Sequence, residues 1–173
     1  MPVKRQTVRH LNINMSQRKF PFVPKSSVKL KPGDFWSIPV DGSLYACGRV
    51  VDLWPSDYKG SRTGFLAGLL DWSSKQQPTE ESIAGAQTIQ QGGVHYKTIL
   101  ITGGEILGNR SLELDDISPQ LFIEYPDNKT PYIYKGLHPV RPAKPEEVEQ
   151  YSTVSIFGHQ YLRERANYLF GKA

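Results

Sequence analysis

The alternation of apolar and polar positions is clearest between residues 34 and 53, where it predicts a pair of antiparallel strands. Trp36, Ile38 and Val40 alternate with Phe35, Ser37 and Pro39, the pattern of a half-buried strand. Lys31-Pro32-Gly33-Asp34 ahead of it has turn composition, and Asp41-Gly42-Ser43 behind it suits a tight hairpin reversal. The returning strand covers residues 44–53, with Tyr45, Cys47, Val51 and Leu53 toward one side and the small Ala46 and Gly48 toward the other. Small residues opposite bulky ones imply strong curvature or close packing, as in a small barrel.

Past a polar link at residues 55–62, a third apolar run occupies residues 64–72. Residues 78–91 predict a short helix: Thr79 can cap it, Glu80 and Glu81 suit its positive end, and Ile83, Ala86 and Ile89 recur at helical spacing before Gly92-Gly93. A strand follows at 94–101, a turn at Gly103-Gly104, and a continuation of the sheet at 105–107. Residues 121–125 and 132–134 frame Pro126-Asp127-Asn128-Lys129 as a second hairpin. Pro139, Pro142 and Pro145 mark a connector, and residues 152–170 predict a closing helix with Val154, Phe157, Tyr161, Leu162, Ala166 and Leu169 on one side. Residues 3–11 favour a strand only weakly, and no internal repeat or low-complexity block occurs. The expected fold is α+β: a strongly twisted, mostly antiparallel sheet or partly open small barrel with a C-terminal helix packed on it.

Charge changes this picture at one end. Residues 1–33 hold eight bases and no acid, which leaves thirteen bases and all seventeen acids to the other 140 residues. The chain therefore reads as a basic arm, 1–29, outside the core of a single globular domain, 30–173. Such an arm suits nucleic acid or a membrane surface. The plainer reading is a solvated extension, or one docked on its own acidic domain, and it is preferred because only Phe20 and Phe22 offer aromatic platforms among the bases. No apolar run approaches the roughly 20 residues that cross a bilayer. Arg5, Arg9, His10, Asn12, Asn14 and Ser16 interrupt any signal-peptide core, and Cys47 as the lone cysteine excludes an internal disulfide. A cytoplasmic location is expected.

Chemistry-bearing motifs are sparse. The four histidines, His10, His95, His138 and His159, show no pairing at strand or helix spacing for metal, although the last three can converge from distant segments. No metal and no cofactor is expected. Cys47, inside the best strand, reads as a buried structural thiol. The glycine pairs lack the phosphate-loop motifs, and no G-x-S-x-G elbow is present. Aromatic residues, by contrast, crowd the first half, with Trp36, Tyr45, Trp54, Tyr58 and Trp72. Most belong to the core, while some suit a recognition patch. The acids Asp52, Asp57, Glu113, Asp115 and Asp116 sit in loop-like contexts, as solubility charges or as groups that steer a basic partner. Arg49, in an apolar strand, needs a carboxylate, and an internal one such as Asp34 is preferred to an external one.

Lys31-Pro32-Gly33-Asp34-Phe35-Trp36-Ser37-Ile38-Pro39, followed by Gly42, Tyr45 and Gly48-Arg49-Val50, resembles the opening signature of the bacterial immunity protein 26 family. The resemblance covers about twenty residues. It implies a small domain that protects a cell by binding a polymorphic toxin; the same grouping includes a small pseudomonad phosphotriesterase credited with hydrolysing organophosphates. The leading expectation is an immunity protein that neutralises a cognate toxin by stoichiometric binding, with Trp36, Tyr45, Arg49, Trp54, Asp57, Asp115 and Asp116 as contact residues. A phosphotriesterase is the alternative, and a nucleic-acid-binding module resting on the arm alone comes last.

Overall fold

In the computed structural model, which describes residues 17–171, the 34–53 pattern folds as a hairpin. Strands β1 (Asp34–Val40) and β2 (Leu44–Leu53) pair antiparallel, with Trp36 opposite Gly48 and Val40 opposite Leu44. The third apolar run becomes β3 (Gly64–Ser74), followed by β4 (Thr88–His95), the short helix α1 (Lys97–Ile101) and β5 (Gly108–Asn109). These strands make one sheet in the order β4-β3-β2-β1-β5, antiparallel throughout. Register shifts between Ala46 and Gly48, between Val50 and Asp52, and between Leu69 and Leu70 add local twist. A second antiparallel sheet contains β6 (Leu121–Glu124), β7 (Tyr132–Lys135) and β8 (His138–Pro142). Helix α2 (Tyr161–Phe170) closes the chain and lies against β1, β2 and β3. The architecture is α+β, mostly antiparallel, with the helix at the C-terminus. The strand expected at residues 3–11 lies outside the described residues.

The large sheet is covered on both faces. Trp36, Ile38, Val50, Phe65 and Leu69 pack with Leu162 and Ala166 of α2 on one face. Phe35, Cys47 and Leu70 meet Ile83 and Ile117 on the other, and Val51 and Leu66 meet Phe122 of β6 and Leu137 in the turn between β7 and β8. β1 is therefore buried on both sides, Phe35 and Ser37 included, where its alternation predicted one wet face. Glycine makes the closest approaches possible. A Cβ on Gly48 would overlap the indole of Trp36, and one on Gly92 would overlap the ring of Phe157.

Several sequence expectations are corrected here. Residues 78–91 are not a helix. The Thr79 and Ser82 hydroxyls each accept from the other residue's backbone N–H, 3.1 and 2.9 Å, and close a single turn; Gly85 at φ +78° ends it. From Thr88 the chain then joins the sheet, with Gly92 and Gly93 inside β4 rather than ending a helix. Residues 94–101 divide between the end of β4 and α1. The proline connector is in part β8, an edge strand in which Pro139 and Pro142 stand opposite Tyr134 and Tyr132 of β7. The closing helix begins at Tyr161, not at 152, because residues 155–157 extend along β4. Gly93 N–H donates to the Ser155 carbonyl and Phe157 N–H to the Gly93 carbonyl, both at 2.8 Å.

Residues 17–30 run against the sheet. Phe22 bridges to Ile106, Ser27 donates to the carbonyls of Ser61 (2.7 Å) and Arg62 (2.8 Å), and Leu30 is buried in the core. Arg18 grips Asp34 through two hydrogen bonds, 2.6 and 2.9 Å.

Two glycine variants separate close packing from chain flexibility. Gly48→Ala should lower unfolding free energy in urea by about 1–3 kcal/mol through forced displacement of Trp36. Gly158→Ala, whose Cβ would meet nothing within 4 Å, should stay within about 0.5 kcal/mol of the parent.

Candidate functional site

An exposed concavity rich in aromatic rings lies where the end of β2 meets the small sheet. Its volume is about 520 Å³, and Trp54, Pro55, Asp57 and Tyr58 form one wall while Glu124, Tyr125, Pro126 and Tyr134 form the other. A tight turn builds the first wall: Tyr58 N–H donates to the Pro55 carbonyl at 2.9 Å. That turn stacks Tyr58 on Trp54 with ring centroids 4.2 Å apart and planes 14° from parallel. The β6–β7 hairpin supplies the second wall.

Asp52 fixes the two walls relative to each other. One carboxylate oxygen accepts the Leu137 N–H at 2.9 Å, and the other accepts the Leu53 N–H at 2.9 Å. His138 Nε2 donates to the Leu53 carbonyl at 2.9 Å and lies 3.3 Å from Asp52. Glu124 accepts the Val154 N–H at 2.7 Å, while Asp57 is exposed. Burial, reinforced by Glu124, pushes the Tyr134 hydroxyl above the ordinary tyrosine range, so it remains a neutral donor at physiological pH. The result is a ring-lined, proline-edged groove with carboxylates and no base among its lining residues. It offers a cationic or amphipathic segment both an aromatic face and a counter-charge.

The residues singled out from sequence scatter. Trp54 and Asp57 line this groove. Trp36 is fully buried; its indole N–H donates to Thr102 Oγ1 at 3.0 Å and its ring meets Phe65 edge-on. Tyr45 pairs with Pro39 and Ser74 at the opposite end of β2 from Trp54. Asp116 is exposed with left-handed backbone, φ 53°, after the 3₁₀ turn Leu112–Asp115. Tyr125, Tyr134 and Glu124 were missed; their signal was the aromatic content of the second hairpin.

Arg49 and Asp115 are inside the protein and bound to each other. Arg49 Nη1 donates to Asp115 Oδ2 at 3.3 Å, its other Nη donates to the Arg110 carbonyl, and both side chains are fully buried. Arg110 Nε donates to both oxygens of Asp115 at 3.0 and 2.9 Å, and Gly85 N–H adds a third donor at 2.8 Å. The internal carboxylate expected for Arg49 is thus Asp115 rather than Asp34, which Arg18 and Asn109 occupy. Burial alone would push the Asp115 carboxyl up, but the donors from Arg110, Gly85 and Arg49 outweigh it and hold it below the usual range. Asp115 is a structural anchor, not a surface charge.

His95 and His159 do come together, ring centroids 5.4 Å apart, while His138 sits on Asp52 and Leu53. Burial, then His159 and Lys97, lower the His95 pKa. Among the described residues no three His, Cys, Asp or Glu side chains gather as a metal-holding group, and no helix is long and apolar enough to cross a membrane. Burial pushes the Cys47 thiol far up, with the Arg49 charge a smaller opposing influence. Compared with protein-family models, curated proteins and solved structures, the chain gives no match.

Two outcomes follow from the buried groups. The lowered folded-state pKa of Asp115 stabilises above the ordinary carboxylate range, and that contribution disappears as pH falls through the folded value. The stability gap between the parent and Asp115→Asn, measured in urea, should therefore be about 3–5 kcal/mol at neutral pH and shrink steadily below about pH 4. Cys47 should resist an aromatic disulfide reagent in the native protein and react fully once guanidinium unfolds it.

Proposed function

We propose that this chain is an immunity protein that neutralises a toxin by direct stoichiometric binding, with the Trp54–Tyr58 groove at the centre of the contact. The observation that carries the reading is the stacked pair of half-buried Trp54 and exposed Tyr58, in one groove with Tyr125, Tyr134, Asp57 and Glu124. Large rings already held in place lose little conformational freedom when a partner covers them, which is why Trp and Tyr dominate binding hot spots. The carboxylates select a basic segment and speed its approach. An arginine side chain satisfies both demands, since its plane stacks on a ring while its fork meets a carboxylate. The resemblance of residues 31–50 to immunity proteins agrees with this reading, though those residues form the sheet rather than the groove.

A toxin encoded beside this gene is the probe. Titrated calorimetrically with the purified protein, it should bind one to one and lose its activity. Trp54→Ala and Tyr58→Ala should each weaken binding by at least about thirtyfold, roughly 2 kcal/mol, without shifting the melting temperature beyond a few degrees. Binding that both variants leave intact would remove the groove from the contact. Metal-dependent turnover of an aryl phosphotriester above the buffer rate would favour the phosphotriesterase alternative.

A further inference from the structure

A second concavity, about 690 Å³ in volume, is lined by residues between 17 and 31 together with Arg62. Its lining includes six bases, Arg18, Lys19, Lys25, Lys29, Lys31 and Arg62, and no acid. Arg18 is committed to Asp34 and to the Lys29 carbonyl. The other five form no ion pair among the described residues, and each is exposed.

These bases do not belong to a loose tail. Ser27 is buried and bonded to the carbonyls of Ser61 and Arg62, Leu30 is sunk in the core, and Arg18 is clamped between Asp34 and the rings of Phe20 and Phe22, 5.2 Å from each. The fold thus holds five uncompensated positive charges around one hollow. Like charges gathered this way oppose the folded state and are relieved by an anion that contacts several of them together. Because the bases come from two separate segments, 19–31 and the loop bearing Arg62, around one hollow, a narrow strand entering it can contact several of them together. A planar array of lipid headgroups would reach only the rim.

We propose that this groove binds the phosphate chain of a single-stranded nucleic acid. The arm alone gave this reading little support. The fixed backbone, the contribution of Arg62 from the far loop and the absence of acid in the lining now supply it. The exposed apolar residues at the groove are Val23 and Val28, and the one ring in its lining, Phe22, is half-buried beneath the Arg18 guanidinium, so it offers bases little stacking surface. Recognition is consequently of phosphate rather than sequence or sugar, and its strength is set by release of counter-ions. Inorganic polyphosphate shares that chemistry and is the other source to distinguish.

Fluorescence anisotropy with labelled 20-mers of deoxythymidylate and uridylate tests this on the whole chain. The two oligomers should bind with similar affinity at about 50 mM salt, and five phosphate contacts give a slope of log K on log salt of about −3.5. Lys25→Glu/Lys29→Glu/Arg62→Glu should weaken binding at least a hundredfold and flatten the slope. The neutral pair Lys25→Gln/Lys29→Gln, less demanding on folding, should weaken it about tenfold, with circular dichroism verifying both variants. Trp54→Ala/Tyr58→Ala should bind oligomers like the parent, which keeps this inference separate from the toxin reading. Failure to bind either oligomer overturns the proposal, and so does binding undiminished in the charge variants. Binding of polyphosphate but not oligomers overturns the nucleic-acid source. Polyglutamate or anionic vesicles bound as tightly through the same lysines would make the groove a site for acidic protein or lipid instead.

Discussion

A buried carboxylate between two guanidinium groups ties the least regular parts of this chain to its most regular part. Asp115 receives Arg49 from the centre of β2, Arg110 from the segment after β5, and the Gly85 N–H from the turn before β4. The side chain of Gln87 donates to its backbone carbonyl as well. None of these connections has the length or periodicity to hold itself in place. Each is fixed because ionised groups out of water demand complete pairing, and removing one leaves the others unsatisfied. The cover over the Phe35, Cys47 and Leu70 face of the sheet exists on this condition. The one departure is Arg49 Nε, which lacks a partner among the described residues and marks where the pairing is incomplete.

What the sequence made legible follows the same division. The β1–β2 hairpin, β3 and the β6–β7 hairpin could be read because local alternation and turn residues agree with the tertiary structure. The helices expected at 78–91 and 152–170 fail for one shared reason. Ile83, Ala86 and Ile89, like Val154 and Phe157, are spaced as on a helix, yet each group is divided among different contacts: Ile83 enters the core behind β1, and Phe157 covers Gly92 from an extended segment. Spacing cannot distinguish one helical face from two unrelated burials. The edge of β4 requires a partner for its backbone, and residues 155–157 provide it.

The candidate groove was only half visible. Trp54 and Asp57 stand near each other in the chain and near Tyr58, so their grouping is local. Glu124, Tyr125 and Tyr134 reach them through the docking of a second sheet, which Asp52 and His138 secure over a separation of some 85 positions. No local pattern encodes that docking. Arg49 and Asp115 present the converse case: sequence marked both as candidates for contact, and burial shows that their charges are addressed to each other. A lone charge in an apolar strand signals a partner without saying on which side of the surface it lies.

The loop from Trp54 to Thr63 is a common wall. Its Trp54–Tyr58 side faces the acidic aromatic groove, and its Arg62 end, bonded through Ser61 and Arg62 carbonyls to Ser27, faces the basic one. Occupants of the two hollows would share a single piece of backbone, which is the physical route by which their binding free energies become linked. If one occupant shifts or stiffens that wall, the change it makes in its neighbour's affinity equals the change the neighbour makes in its own. A molecule of this build would register the product of two encounters, with ten residues of loop as the only moving part required.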